Sequence, residues 1–310
     1  MTPENSPSSP RVDAVVVNYN AGALLPDCVA SLKADGVDQV VVVDNGSTDG
    51  SDAIQSVQDD VTWLEAGDNL GYGRAANLGA RACSGEYLLV CNPDLVVRPG
   101  TVESLVAALA DDHGIAIAGP KLINPDGSLY PSARVFPSIV DAVGHGLLGL
   151  VWQSNPFSRR YRLLDWDHAQ ARPVDWVSGA CFLIRRQAWD RLSGFDPSFF
   201  MYMEDVDLCW RARREGWRVV YEPAGEVVHV QGSSTDQRPY RMIVHHHRSL
   251  WRFAVRSTTG WRRTLLPVVG IGLLARVVIA CGAKWTGRRA AALRRASPDY
   301  PRNRQTTALH

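Results

Sequence analysis

Glu86-Tyr-Leu-Leu-Val-Cys-Asn-Pro-Asp-Leu-Val96 is the stretch whose reading decides the fold. Leu88 to Cys91 is a continuous apolar run, the signature of a strand buried on both faces of a parallel sheet. Pro93 lacks a backbone N–H and ends the pairing. Asn92 and Asp94 then fall on one side, at the carboxyl end of the strand, where open α/β sheets place their ligands. Asn, Asp and Pro are also ordinary turn residues, so this stretch alone is equally a turn.

Upstream, the pattern repeats. Val12–Val17 is a short β-branched strand ending at Asn18-Tyr-Asn20. Leu24–Leu32 has helical spacing. Val40–Val43 is a second strand ending at Asp44-Asn45-Gly-Ser-Thr-Asp-Gly50, with a helix from Asp52 and a third strand, Val61–Leu64. This alternation predicts an α/β, Rossmann-like, mostly parallel sheet. The first turn has neither the glycine fingerprint of dinucleotide binding nor a lysine-bearing phosphate loop. It offers amides and carboxylates instead. Asp44 can accept a hydrogen bond from the ring N–H of uracil or thymine, and Asn18 and Asn45 can serve base or ribose. The same residues also make a turn and a helix cap.

Asn69-Leu-Gly71-Tyr-Gly-Arg74-Ala-Ala-Asn77 places glycines before a helix. Gly71 permits close approach of a ligand, the helix amides and Arg74 suit a diphosphate, and Asn77 lies a turn further on. A loop that merely turns fits as well. Asp94, opposite that diphosphate, is a hard oxygen ligand for Mg²⁺ or Mn²⁺ with substrate phosphates completing the shell.

Downstream, Pro99–Asp111 reads as a helix, Ile115–Ala118 as a strand and Asn124-Pro-Asp-Gly-Ser128 as a hairpin turn. Residues 137–172 break the alternation and predict an irregular, partly helical cover over a substrate. Asp175–Ile184 reads as one strand, in which Trp176 either stacks on an acceptor sugar or belongs to the core. A helix begins near Glu204, with Asp205, Leu208, Cys209 and Ala212 on one inward face. Acids in a first turn favour the helix dipole, yet two adjacent acids after large apolar residues also suit a general base. Arg218–Tyr221 and Glu226–Val230 are short strands, and His229 in the second is either structural or a ligand.

Among 310 residues, 33 are Lys or Arg and 32 are Asp or Glu, but the charge is divided. From Arg238 onward there are 15 basic residues and one acid, Asp299, so this segment carries about +14 and the remainder about −13. That pattern suggests an enzyme body with a basic attachment segment. Cysteines 28, 83, 91, 181, 209 and 281 form no C-x-x-C pair, which predicts reduced thiols in a cytoplasmic protein. Residues 1–10 read as a disordered tail without the apolar core of a secretory signal.

In this order the motifs resemble the inverting glycosyltransferases of family 2, which have the GT-A fold. The resemblance rests on Asn18-Tyr-Asn20, Asp44–Gly50, Asn69–Asn77, Asn92-Pro-Asp94, Gly194-Phe-Asp196 with Glu204-Asp205, and His229 with Gly232 and Ser233. It covers about residues 12–235 and is nearest to bacterial rhamnosyltransferases of cell-wall and O-antigen assembly. It implies that Asp44 reads the base and that Asp94, matching the last Asp of D-x-D, holds the divalent metal. His229 would complete the metal shell in the manner of some members. Asn92 replaces an Asp that many members carry, which implies weaker metal binding. Asp205 matches the catalytic base, and Glu204 would position the acceptor hydroxyl.

These readings divide the chain into a tail (1–10), a GT-A domain (11–235) and a basic, partly apolar helical segment (236–310). Leu265–Ala283 is apolar except for Arg276, with basic flanks. Its glycines, proline and central arginine predict a helix lying on or dipping into the inner leaflet, ahead of a true span or packing on the body. The expected partners are a dTDP- or UDP-sugar, a polyprenyl-diphosphate-linked saccharide and the membrane surface of the cytoplasmic side, with no nucleic acid. Rhamnose from dTDP-rhamnose is the sugar the resemblance implies; galactofuranose, mannose and glucose stay open. A sugar nucleotidyltransferase and a non-catalytic membrane scaffold are the competing classes.

Overall fold

A computed structural model of the chain describes residues 10–51, 61–136, 152, 155–230 and 239–296. The expected N-terminal tail, the helix from Asp52, most of the 137–154 stretch and the Gly232-Ser233 pair lie outside the described residues.

The apolar runs form the centre of a ten-stranded sheet. Strands β1 (Val12–Asn18), β2 (Gln39–Asp44), β3 (Val61–Glu65) and β4 (Tyr87–Cys91) lie in the order β3-β2-β1-β4, all parallel. Side chains alternate along each strand. Ala14 and Val16 of β1 therefore pack with Leu25, Val29 and Leu32 of helix α1 (Leu24–Ala34). Val15 and Val17 pack with Ala75, Ala76 and Ala80 of α2 (Tyr72–Ala80) on the other face. Burial on both faces is why these strands carry no polar alternation.

Beyond β4 the chain adds β5 (Leu95–Val97), α3 (Thr101–Ala110), β6 (Ile115–Ile123), β7 (Leu129–Tyr130) and β8 (Ala133–Arg134). Then follow α4 (Pro156–Tyr161), β9 (Arg172–Val174), β10 (Trp176–Val177), β11 (Cys181–Arg185) and α5 (Arg186–Leu192). Helix α6 (Glu204–Arg214) and strand β12 (Arg218–His229) complete the body. β11 runs antiparallel between β4 and β6, and β12 lies parallel to β6. β1, β2, β3, β4, β6 and β12 thus share one direction, and the sheet is mixed but mostly parallel.

Two expectations are corrected here. Residues 175–184 are not one strand: β10 pairs with β8 in a separate two-stranded sheet, and the chain bends at Ser178–Ala180 before β11. The bend frees the Gly179 N–H to bond Asp205 Oδ2 at 2.8 Å, which a continuous ladder would forbid. Conversely, the two strands expected around residues 218–230 are one, β12, with its register shifted between Glu222 and Glu226. The hairpin between β6 and β7 forms as expected, with Asn124 N–H bonding the Ser128 carbonyl at 2.8 Å.

Helix α7 (Pro239–Ser257) docks on the body and leads through a 3₁₀ turn (Gly260–Leu265) into α8 (Leu266–Ala296). Arg256 pairs with Asp196 and Asp207, each at 2.6 Å. Ser249 Oγ donates to the Met201 carbonyl at 3.0 Å, and Arg252 donates to the Ser198 carbonyl. His245 stacks on Phe200 and His246 meets Tyr202 edge-on. All these contacts fall on the segment 196–207. Residues 260–286 are long and apolar enough to cross a membrane, by length and composition, and none of the apolar window is buried. Val268, Ile271, Leu274 and Val278 form an exposed apolar face, while Arg276 is half-buried.

Candidate active site

The carboxyl ends of the parallel strands open into a cavity of about 450 Å³, within the range of small-molecule sites. One wall is Asn92-Pro93-Asp94, where β4 stops. The short β5 that follows pairs antiparallel with β12, His229 opposite Leu95. That register brings the His229 Nε2 to 3.3 Å from Asp94 Oδ1 and 3.3 Å from the Asn92 amide nitrogen. Asp94 and His229 are both buried, and Asp94 Oδ1 has no hydrogen-bond partner among the described residues. No cluster of three or more His, Cys, Asp or Glu suited to a metal occurs among the described residues. A cation here would have two protein ligands and draw the rest of its shell from phosphate and water, the usual manner of Mg²⁺ and Mn²⁺. A hard carboxylate oxygen and an imidazole fit such an ion.

The facing wall is the start of α6. Tyr202 and Met203 both have positive φ, 66° and 71°, which is costly for residues with a Cβ and is tolerated where the surroundings enforce it. The α7 contacts at Phe200, Met201 and Tyr202 supply that enforcement. This turn presents Glu204 and Asp205 to the cavity. Asp205 accepts the Gly179 and Val206 N–H groups, each at 2.8 Å. A Cβ on Gly179 would lie 3.1 Å from Asp205 Cβ, so only glycine fits without displacement. Leu208, Cys209 and Ala212 point into the core as expected, joined by Asp207, whereas Asp205 is half-buried and faces the cavity.

Burial pushes the Glu204 carboxyl up to about 8, and the adjacent Asp205 charge adds to the rise. Burial also raises Asp205, but the two N–H donors and the Arg134 guanidinium oppose it. Glu204 Oε2 has no partner among the described residues. Both carboxyls are thus raised by burial, and only Asp205 has N–H donors and a guanidinium that favour its charged form.

The residues expected on the donor side fall into two groups. Asn45 and Asn92 line the cavity. Asn18 and Asp44 stand behind it and hold the turn, while the buried Asn18 Oδ1 has no partner among the described residues. The Asn18 amide donates to Asp44 Oδ1 (2.8 Å) and to Ser51 Oγ (2.9 Å), and Asp44 Oδ2 accepts the Ser47 N–H (3.0 Å). Gly71, Arg74 and Asn77, expected at the diphosphate, do not line the cavity, and each contacts the segment before α6. Arg74 donates to the Pro197 carbonyl (2.8 Å), and Asn77 brackets Phe195 by accepting its N–H (2.9 Å) and donating to its carbonyl (2.8 Å). Gly71 has φ +85°, and a Cβ there would sit 2.1 Å from the Phe200 oxygen. Packing on Phe200 by itself requires a glycine here.

Trp176 is buried, its indole N–H donating to the Val135 carbonyl at 2.9 Å. Arg134 lies over its ring, 5.0 Å from the centroid, and over Tyr161 at 5.6 Å. Sequence reasoning passed over Arg134, Tyr161, Tyr72 and His246, all in the cavity wall. Arg134 sits on a two-residue strand with no periodicity to mark it. His246, in the run His245-His-His247, shows that the basic C-terminal segment reaches the site.

The sequence matches the model of glycosyl transferase family 2 over residues 13–207 and that of glycosyl transferase family group 2 over 152–287. The chain belongs to glycosyl transferase family 2, and its fold is of the GT-A type. It is 38% identical over 276 residues to the N-acetylglucosaminyl-diphospho-decaprenol L-rhamnosyltransferase of Mycobacterium tuberculosis, covering 84% of this chain and 89% of that protein. It is 27% identical over 203 residues to rhamnosyltransferase WbbL of Escherichia coli, covering 62% and 73%. Among solved structures, the mannosyltransferase PcManGT of Pyrobaculum calidifontis, in complex with GDP-Man and Mn²⁺, superposes with a TM-score of 0.55 at 18% identity. That match covers 94% of this chain and 82% of the other.

Proposed function

We propose that this enzyme transfers L-rhamnose, with inversion, from dTDP-rhamnose to a saccharide carried on polyprenyl diphosphate, in assembly of cell wall or surface polysaccharide. The observation that carries the reading is one cavity into which Asp94 with His229 and Glu204 with Asp205 both open. The decaprenol-linked relative supports the acceptor class and the sugar.

Asp94 and His229 would hold Mg²⁺ or Mn²⁺, which when bound neutralises charge on the departing nucleoside diphosphate. Asn45 and Asn92 line the donor side, and Asp44 and Asn18 shape the turn that meets the base. Asp205 takes the proton of the acceptor hydroxyl. The hydroxyl oxygen forms a bond to the anomeric carbon as the bond to the diphosphate oxygen breaks, and that electron pair leaves with the diphosphate. A single in-line displacement needs no carboxylate nucleophile, in contrast to retaining glycosidases. Glu204 orients the acceptor.

The test is a panel of nucleotide sugars offered to a polyprenyl-diphosphate N-acetylglucosamine acceptor, with and without Mn²⁺ or Mg²⁺. Metal-dependent product with dTDP-rhamnose is expected. Product only with a UDP- or GDP-hexose overturns the sugar, and metal-independent transfer overturns the metal pair. Helix α8 would rest its apolar face on the cytoplasmic side of the plasma membrane, its basic flanks drawn to anionic lipid. Truncation after Thr258 should weaken binding to anionic vesicles while keeping α7 and activity on a short water-soluble acceptor. Equal vesicle binding by the truncated protein would remove the membrane role.

A further inference from the structure

The guanidinium groups of the body are mostly spent. Arg211 pairs with Asp207 and donates to the Leu192 and Gly194 carbonyls. Arg185 is taken up by the Ile115, Leu109 and Asp112 carbonyls. Arg256 bridges two aspartates. Arg134 differs. It lines the cavity, its Nε–H goes to the Pro131 carbonyl at 3.0 Å, its guanidinium also bonds Tyr161, and it lies over the adjoining Trp176 and Tyr161 rings. Among the described residues no carboxylate comes within ion-pair distance of it. A cation so placed, with N–H donors left over, is built to receive an anion.

A second cation stands on α8. Arg276 interrupts the apolar run of α8, and it is half-buried while Val268, Ile271, Leu274 and Val278 are exposed. It lies within electrostatic reach of Tyr161 and of His247 on α7. Asp205, Arg134 and Tyr161 line one cavity, which Arg276 does not line; Arg276 stands on α8, the helix with the exposed apolar face. On the function proposed above, the donor diphosphate goes beside Asp94 and His229.

We propose that Arg134, seconded by Arg276, binds the diphosphate of the lipid-linked acceptor. The inference rests on the acceptor class proposed above. In such an acceptor the diphosphate is one sugar ring away from the hydroxyl that attacks, and the prenyl chain starts directly beyond it. The base and Arg134 share one cavity, and Arg276 stands on the helix that carries the exposed apolar face. A planar guanidinium suits two phosphate oxygens at once.

The experiment uses the full-length protein and compares kcat/KM for a prenyl-diphosphate N-acetylglucosamine with that for an alkyl N-acetylglucosaminide lacking phosphate. The ratio of the two should fall about ten- to a hundredfold in Arg134→Gln, the scale of a lost charge-assisted hydrogen bond. Arg134→Lys should recover part of it, and Arg276→Gln should lower the ratio by a smaller factor without touching the cavity wall. Farnesyl diphosphate should inhibit in competition with acceptor, not donor, and more weakly in both variants. Inhibition by inorganic pyrophosphate that matches it and competes with donor would place the anion at the donor wall and overturn the inference. Equal losses on both acceptors would overturn it too, marking Arg134 as a partner of Asp205 alone. If the wild type uses the alkyl acceptor but not the diphosphate one, the acceptor class itself is wrong, and that outcome shows without any variant.

Discussion

The two walls of the cavity are made differently. The Asp94–His229 wall stands on sheet strands, and its geometry follows from one ladder, β5 against β12. The Glu204–Asp205 wall stands on two consecutive left-handed residues, held by contacts from α2, α7 and the Gly179 bend. A wall built on a ladder is fixed by local pairing. A wall built on a strained turn is only as good as the distant elements that clamp it.

The sharpest way to break this comparison is at the base. Asp205→Asn should lose about 10²–10⁴-fold in turnover while donor binding, measured by calorimetry, persists. Glu204→Gln should act mainly on acceptor KM. A dead Glu204→Gln beside a near-normal Asp205→Asn reverses the two roles.

At the other wall, Asp94→Ala or His229→Ala should weaken Mn²⁺-dependent donor binding by more than about tenfold, with circular dichroism unchanged. If His229→Ala keeps its metal dependence, the histidine serves structure alone.

The clamp itself is tested by Arg256→Ala. Asp207 is fully buried and keeps only Arg211 after the change, so a loss of about 1–3 kcal/mol in stability is expected. A denaturant midpoint equal to wild type would show that α7 does not hold the turn.

The smallest effect is in the pH dependence. Glu204 holds its proton in the folded chain up to about pH 8, well above the ordinary carboxylate range. Folding therefore takes up a proton between that range and pH 8, and the contribution to stability is lost as pH rises through this window. Asp205, also raised, acts in the same direction. Glu204→Gln should flatten the fall of Tm between pH 6 and 9; an unchanged slope would place the titration elsewhere.

The same contrast governs what the sequence reveals. Strands β1, β2 and β4 are legible because unbroken apolar runs end at Asn or Asp, and these endings are where Asn45, Asn92 and Asp94 enter the site. That Asp94 meets His229 is not legible from spacing, since it depends on a three-residue strand. A glycine loop before a helix looks the same in sequence whether the polar groups of Arg74 and Asn77 serve a phosphate or the neighbouring Phe195–Pro197 backbone. Trp176 and Gly179 read as one strand because local propensity does not register a bend that serves Asp205. Arg134 has no pattern at all; only tertiary structure sets it beside two aromatic rings.

Cys91 and Cys181 face each other across the β4–β11 ladder, with Cys28 packed beside Cys91 beneath Asn92. The neighbouring Cys28 and burial raise the Cys91 thiol, and burial raises that of Cys181, so neither supplies thiolate while the fold is closed. Cys281, on α8, is partly exposed. A thiol reagent thus meets one accessible sulfur on the C-terminal helix and a group of latent ones beneath Asn92, whose labelling must wait for the sheet to open. The floor of the cavity carries its own clock for local unfolding, and the C-terminal helix carries the reference that starts it.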